Sequence, residues 1–174
     1  MCGITGILSF SPKNWPVDEA TLVTMRDTMI HRGPDGAGIW LNKTATIGFG
    51  HRRLAIIDLS EAATQPMCLP KDKLSIVFNG EIYNHAEVRQ ELIGLGHNNW
   101  KTTHSDTEVI LHAFEEWGIE CIKRFRGMFA IAIWDNIKQD LWLIRDRVGI
   151  KPLYYAYDEK GIVFGSEIKA ILAG

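Results

Sequence analysis

A cysteine stands directly behind the initiator methionine of this chain. Removal of Met1 would make Cys2 the amino terminus, with a thiol and a free α-amine on one residue. Left in place, Cys2 is a small apolar residue opening a buried strand, as free cysteines often are. Three other stretches set polar groups inside apolar runs. In "SIVFNGEIYN", Asn79-Gly80 separates two β-rich segments. This pair is a strong hairpin signal, because both residues tolerate positive φ. It can also do chemistry: an Asn amide beside a Gly N–H offers two donors that converge on an oxyanion, and Gly admits a closely approaching substrate. "GHRRLAIIDL" buries Arg52 and Arg53 in an apolar run. On a strand they point to opposite faces, so one faces the core or a cleft and needs an anionic partner, a substrate carboxylate or a protein acid. "THSDTEVILHAFEEWG" carries Ser105-x-x-Glu108, a capping box, with Asp106 in the first helical turn, where negative charge is favoured. An ionised Asp there could receive an ammonium group.

Taken together, these groups suit one task. An Arg and an Asp grip the α-carboxylate and α-ammonium of an amino acid, the thiol attacks its side-chain amide, and Asn-Gly holds the tetrahedral oxyanion. The substrate that suits this set is glutamine.

Positioning these groups requires strands and helices in a particular order. Residues 3–10 read as a buried strand. Asp18 is a good N-cap for a helix from 19 to about 30 with Leu22, Met25 and Met29 on one face, and Val17 can staple onto Leu22. The run from Gly33 to Gly38 reads as loop. Strand patterns follow at 38–42, 45–50, 53–58, 74–78 and 81–83, helices at 85–95 and 106–117, strands at 128–135, 140–145, 153–157 and 162–165, and a short helix from 166. Strands come in hairpin-like groups rather than in strict alternation with helices, which predicts an α+β fold with antiparallel sheets.

Composition narrows the function classes. At 174 residues with 46% apolar and 23% charged residues, the chain suits one globular domain with a substantial core. A net charge of −2 makes no electrostatic case for nucleic acid or an anionic membrane. Cys2, Cys68 and Cys121 are too few and too scattered for a disulfide framework or zinc ribbon, and an odd count fits a reducing, cytoplasmic setting. No apolar run reaches membrane-spanning length, and no signal peptide opens the chain. The six histidines show no i, i+4 metal spacing, so no metal ligands are expected. Phosphate-binding glycine loops and nucleophile-elbow motifs are also absent from the sequence.

Seven motifs in order, Met-Cys-Gly-Ile, "HRGPDGAG", "HRRLAIIDL", "FNGEIYNH", "SDTEVIL", "GMFAIAIWD" and "RDRVGIKPLYY", resemble the class II glutamine amidotransferase domain of asparagine synthetase-type enzymes, over essentially all of residues 2–172. The resemblance implies the N-terminal nucleophile hydrolase fold, a four-layer α-β-β-α sandwich with two antiparallel sheets, as a single domain over 1–174. It implies a glutaminase in which Cys2 is the nucleophile and its own α-amine the base. Arg53 would bind the substrate carboxylate, and Leu54, Ile56 and Ile57 would offer backbone contacts. Asn79 and Gly80 would be the oxyanion donors, Glu81 their neighbour and Asp106 the ammonium partner, with Arg32 in a supporting place. A thiol with a pKa of about 8.5 is mostly protonated at neutrality, whereas an α-amine at about 7.7–8.0 is substantially free, so the pairing is chemically apt. No cofactor is expected in this domain. ATP and Mg²⁺ would serve a separate synthetase domain that receives ammonia for asparagine biosynthesis, and a surface left exposed toward it could support a homodimer. Two alternatives share these motifs: a catalytically silent regulatory module of the same fold, and an amidotransferase domain serving another acceptor.

Overall fold

The structure, a computed structural model, describes residues 1–55 and 60–174. A five-stranded antiparallel sheet has the order β2 (Gly36–Leu41), β3 (Ile47–Arg53), β1 (Gly3–Ser9), β9 (Gly161–Gly165), β8 (Tyr154–Tyr157). A four-stranded antiparallel sheet has the order β4 (Met67–Cys68), β5 (Leu74–Ile82), β6 (Gly127–Asp135), β7 (Asp140–Arg145). Helices α1 (Glu19–Asp27) and α4 (Ile168–Leu172) cover the outer face of the first sheet. Helix α3 (Asp106–Trp117) packs on the outer face of the second, with α2 (His85–Gly94) against it.

Three apolar layers explain the stacking. Ile4, Phe49, Val77, Trp134 and Phe164 fill the space between the sheets. Ile76, Phe78, Ile131, Leu111 and Phe114 join the second sheet to its helices, and Ile7, Val17, Leu22 and Met25 join the first sheet to α1. A strand with apolar residues on both faces must be covered twice, so each sheet acquires a helical layer outside and its partner sheet inside. The α-β-β-α order expected from the resemblance is the one observed. No helix among the described residues is long and apolar enough to cross a membrane.

Several local expectations hold. Asp18 caps α1 by accepting from the backbone N–H and the hydroxyl of Thr21, at 2.8 and 2.7 Å, and Val17 and Leu22 are buried in one cluster. Others are corrected. Asn79-Gly80 is not a hairpin turn: β5 runs unbroken through it, with Asn79 opposite Ala130 and Gly80 opposite Phe129. The strand continues there because β6 pairs with it along its whole length, and Gly80 is needed because a Cβ would lie 2.2 Å from the Met128 carbonyl oxygen. The run 33–38 is loop only as far as Asp35, since Gly36 already pairs with Arg53. Helix α1 ends at Asp27 and is followed by a 3-10 turn over Ile30–Arg32. The strand expected over 53–58 stops at Arg53, with Leu54 and Ala55 in irregular backbone, and Ile56, Ile57 and Asp58 lie outside the described residues. The capping box at Ser105 does not form. The Ser105 side chain makes no cap bond, and Glu108 accepts instead from the Lys101 and Thr102 N–H groups and the Thr102 hydroxyl, at 2.6, 2.8 and 2.6 Å.

Candidate active site

One cleft, at the ends of the interior strands β1, β3 and β5, is lined by Cys2, Arg53, Leu54, Asn79, Gly80, Glu81 and Asp106. Each arrives by a separate element. Cys2 immediately precedes β1, and the β1–β3 register pairs Gly3 with Arg52, so one step further sets Cys2 beside Arg53. The adjacent arginines take the two fates open to them. Arg52 turns to Asp27, 2.7 Å away, while Arg53 faces the cleft. Leu54 holds the thiol with its backbone: its N–H points at Cys2 Sγ at 3.4 Å, and the thiol reaches back to its carbonyl at 3.6 Å. Arg32 lies behind the cysteine rather than in the cleft. Its Nε donates to the Cys2 carbonyl at 3.0 Å and its Nη1 pairs with Glu167 Oε1 at 3.1 Å. Glu167 is partly desolvated, yet hydrogen bonds from Lys169, Arg32 and His31 carry its pKa down to about 2, so that brace stays ionised.

Asn79 is 1% exposed, and its Nδ2 has no hydrogen-bond partner among the described residues. A buried amide donor left unmade costs about 1–3 kcal/mol, which a ligand oxygen in the cleft would recover. Asp106, the first residue of α3, accepts from the Ile82 N–H at 3.1 Å, and the Thr107 and Asp106 backbones also favour its charged form. Burial pushes its pKa up to about 6 against the pull of those groups. It is a desolvated carboxylate facing a space where a cation can sit. Burial likewise raises the Cys2 thiol above its ordinary value. The Leu54 backbone, the chain's amino terminus and the Arg53 charge act against the rise, and Asp106 adds to it. A thiol so placed is protonated at neutral pH and requires a base before it can attack.

Met1 also lines the cleft, with its Sδ 3.3 Å from Lys151 Nζ, and the Cys2 nitrogen is an amide to Met1. Lys151, His51 and Gln65 are cleft residues that the sequence reading missed. Lys151 is buried at the end of a loop in which Asp146 accepts from the N–H groups of Phe129, Ile150 and Lys151, and Arg145 donates to the carbonyls of Lys151 and Gly149. Gly149 turns this loop at φ +68°, a left-handed conformation that favours glycine. These are residues of the "RDRVGIKPLYY" motif, which was the available signal. His51 is fully buried on β3, and burial drives its pKa down to about 3 against the influence of the Phe78 backbone, so it is neutral. Gln65 spans the gap beyond β4, accepting from the Phe78 N–H at 2.6 Å and donating to Thr107 Oγ1 at 3.2 Å. Nothing in the sequence around Gln65 marks that role.

Comparison with known proteins agrees with this geometry. The family model described as "Glutamine amidotransferase domain" matches residues 1–174. The chain is 44% identical over 99% of its length to the glutamine-hydrolysing asparagine synthetase 3 of Bacillus subtilis strain 168, and 40% identical over 99% to asparagine synthetase 1 of the same organism. It spans only 28% and 27% of those relatives. Among solved structures, it superposes on the allosteric regulatory enzyme of purine biosynthesis with a TM-score of 0.81 at 20% identity, covering 99% of this chain and 43% of that one. The glutamine phosphoribosylpyrophosphate amidotransferase of Bacillus subtilis gives 0.73 at 21% identity, again over 99% of this chain and 43% of that one. The architecture is therefore that of N-terminal nucleophile hydrolases, and the chain belongs to the family of class II glutamine amidotransferase domains found in asparagine synthetases.

Proposed function

We propose that this domain hydrolyses glutamine to glutamate and ammonia through a Cys2 thioester. The observation that carries the reading is the buried Asn79 Nδ2, without a hydrogen-bond partner among the described residues, in the same cleft as the Cys2 thiol and the desolvated Asp106 carboxylate. Loss of Met1 frees the Cys2 α-amine, which takes the thiol proton directly or through water. The thiolate attacks the side-chain carbonyl carbon, and the oxyanion takes hydrogen bonds from Asn79 Nδ2 and the Gly80 N–H. The C–N bond breaks as the ammonium returns its proton to departing ammonia. Water then attacks the thioester, releasing glutamate and restoring the thiol. Arg53 holds the α-carboxylate and an ionised Asp106 the α-ammonium. Leu54 supplies backbone contacts to the substrate, and Glu81 borders the oxyanion donors. None of these steps consumes ATP.

The longer relatives are named glutamine-hydrolysing asparagine synthetases, and on that ground we assign this domain the role of feeding ammonia to an ATP-dependent synthetase partner that makes asparagine. Edge strand β8 and helix α4 support a partner surface: Tyr155, Tyr157, Ile168 and Leu172 are 57–80% exposed there. The free thiols fit a cytoplasmic setting.

The test is to incubate Met1-free protein with glutamine and quantify glutamate and ammonia without ATP. Cys2→Ala should abolish both products, with Cys68→Ala and Cys121→Ala near wild type. Asn79→Ala should lower kcat by roughly 10²–10³, the usual cost of one oxyanion donor. Turnover by protein shown by intact mass to retain Met1 would reject the α-amine as base.

A further inference from the structure

A second cluster of chemistry-bearing side chains lies on the side of α3 away from the cleft. His97 follows α2, held by its own N–H to the Leu92 carbonyl at 3.0 Å and by Trp100 Nε1 donating to its carbonyl at 2.7 Å. His112 and Glu115 lie one turn apart on α3. The Nδ1 atoms of the two histidines are 3.2 Å apart, and Glu115 Oε2 is 3.8 Å from the first and 3.7 Å from the second. We propose that His97, His112 and Glu115 form a site for a divalent transition cation, best suited to Zn²⁺, that ties the segment after α2 to α3.

The spacing fits the ion. Tetrahedral Zn²⁺ with Zn–N of about 2.0–2.1 Å sets neighbouring ligand atoms about 3.3 Å apart. The histidine pair already has that separation, and the carboxylate oxygen needs to close by about half an ångström. Its other oxygen stays on Lys73 Nζ at 2.7 Å. A fourth position is left for water.

The proton inventory of the rings points the same way. His97 Nε2 is 2.9 Å from Glu116 Oε2, so that nitrogen carries a hydrogen and Nδ1 presents its lone pair. His112 Nε2 is buried without a hydrogen-bond partner among the described residues and looks toward Glu108 Oε1, 3.9 Å away. Glu108 already takes three donors and offers only negative charge to that nitrogen. The tautomer that suits Glu108 has N–H at Nε2, which turns the His112 Nδ1 lone pair to that of His97. Two lone pairs and the Glu115 carboxylate then converge with no proton between them, and a cation resolves the arrangement. The other tautomer gives a simple His–His hydrogen bond, but it buries a bare Nε2 lone pair against Glu108. Glu116 behind His97 supplies the carboxylate–histidine pairing that orients metal-bound imidazoles. Side-chain exposures of 13% for His97 and 27% for Glu115 leave a way in.

The experiment titrates Zn²⁺ into the metal-free Cys2→Ala chain, which removes the nucleophilic thiol as a competing ligand. Calorimetry should give one equivalent bound, and Tm should rise by about 5–10 °C at a hundredfold excess over Kd. Co²⁺ should give the visible spectrum of a tetrahedral nitrogen–oxygen site. His97→Gln should weaken binding by at least 100-fold, Glu115→Gln by about 10–100-fold and Glu116→Gln by about tenfold, each with circular dichroism like the parent. The proposal is overturned if the parent neither binds nor is stabilised. It is equally overturned if Co²⁺ shows thiolate charge-transfer bands, or if His97→Gln and Glu115→Gln bind as the parent does.

Discussion

Asp106 and Glu108 are buried carboxylates two residues apart on α3, and the fold treats them in opposite ways. At about 100° per residue they lie on opposite sides of the helix. Glu108 looks away from the cleft and is met by three donors from Lys101 and Thr102. Asp106 looks into the cleft, is met by the Ile82 N–H at 3.1 Å and more weakly by the backbone of Thr107 and of its own residue, and burial leaves it with a pKa of about 6. The satisfied acid holds the loop that leads into the helix. The cleft-facing one stores a cost that a bound cationic group can relieve. Donor supply, rather than depth of burial, separates the carboxylate that holds a loop from the one turned to the cleft.

Deleting the two charges should therefore move stability in opposite directions. Glu108→Ala orphans three buried donors and should destabilise the fold by about 3–5 kcal/mol in urea unfolding at pH 7.5. A loss below 1 kcal/mol would break the contrast. Asp106→Asn should instead stabilise the free domain by about 1–2 kcal/mol. Relief of desolvation is worth up to about 3 kcal/mol from the raised pKa, less the lost interaction with the helix N-terminus. The same variant should raise KM for glutamine by about 10–100-fold, since a charged contact to the ammonium is gone, while kcat changes less.

The stabilisation by Asp106→Asn also carries a pH signature. Between about pH 4, the unfolded value, and about pH 6, the folded value, the native state binds the extra proton, so wild type loses stability as pH rises. The variant lacks this titration. Its advantage should be absent near pH 4, grow through that window and level off above about pH 7. In kinetics, KM of the wild type should rise as pH falls below about 6, where Asp106 becomes neutral. A KM that is flat from pH 5 to 8 would separate Asp106 from substrate binding. The smallest effect is expected at Ser105→Ala: its hydroxyl makes no cap bond, so the cost should stay below about 0.5 kcal/mol instead of the usual loss for a capping serine.

Helices α2 and α3, β7 and the Asp18 cap were legible because they rest on local periodicity and on a side chain reaching its own backbone three residues on. Cys2, Asn79-Gly80 and Asp106 were legible as chemistry because each is an unusual residue type within a strongly patterned run. Arg52 and Arg53 were legible as a pair facing opposite ways, whereas which one meets the cleft depended on where Asp27 lies. The Asn-Gly pair shows the limit most clearly. Local propensity favours a turn, but pairing with β6 along the whole of β5 holds the pair in mid-strand, where the buried Asn79 amide lines the same cleft as the thiol.

The sequence by itself determined most of the element types, the α+β class and the set of candidate reactive groups, since these follow from short-range pattern and side-chain chemistry. Only the tertiary structure decided which groups meet. Cys2 and Arg53 share a cleft with Asn79 and Asp106 because two sheets stack, a contact between segments distant in the chain. Lys151, Gln65 and His51 join them through loops and register that no local pattern encodes. His97 and His112, fifteen residues apart, point Nδ1 to Nδ1 because α2 packs on α3. Burial then set the charge states: a side chain's pKa follows from the donors and water that surround it, and those are supplied by residues distant in the chain.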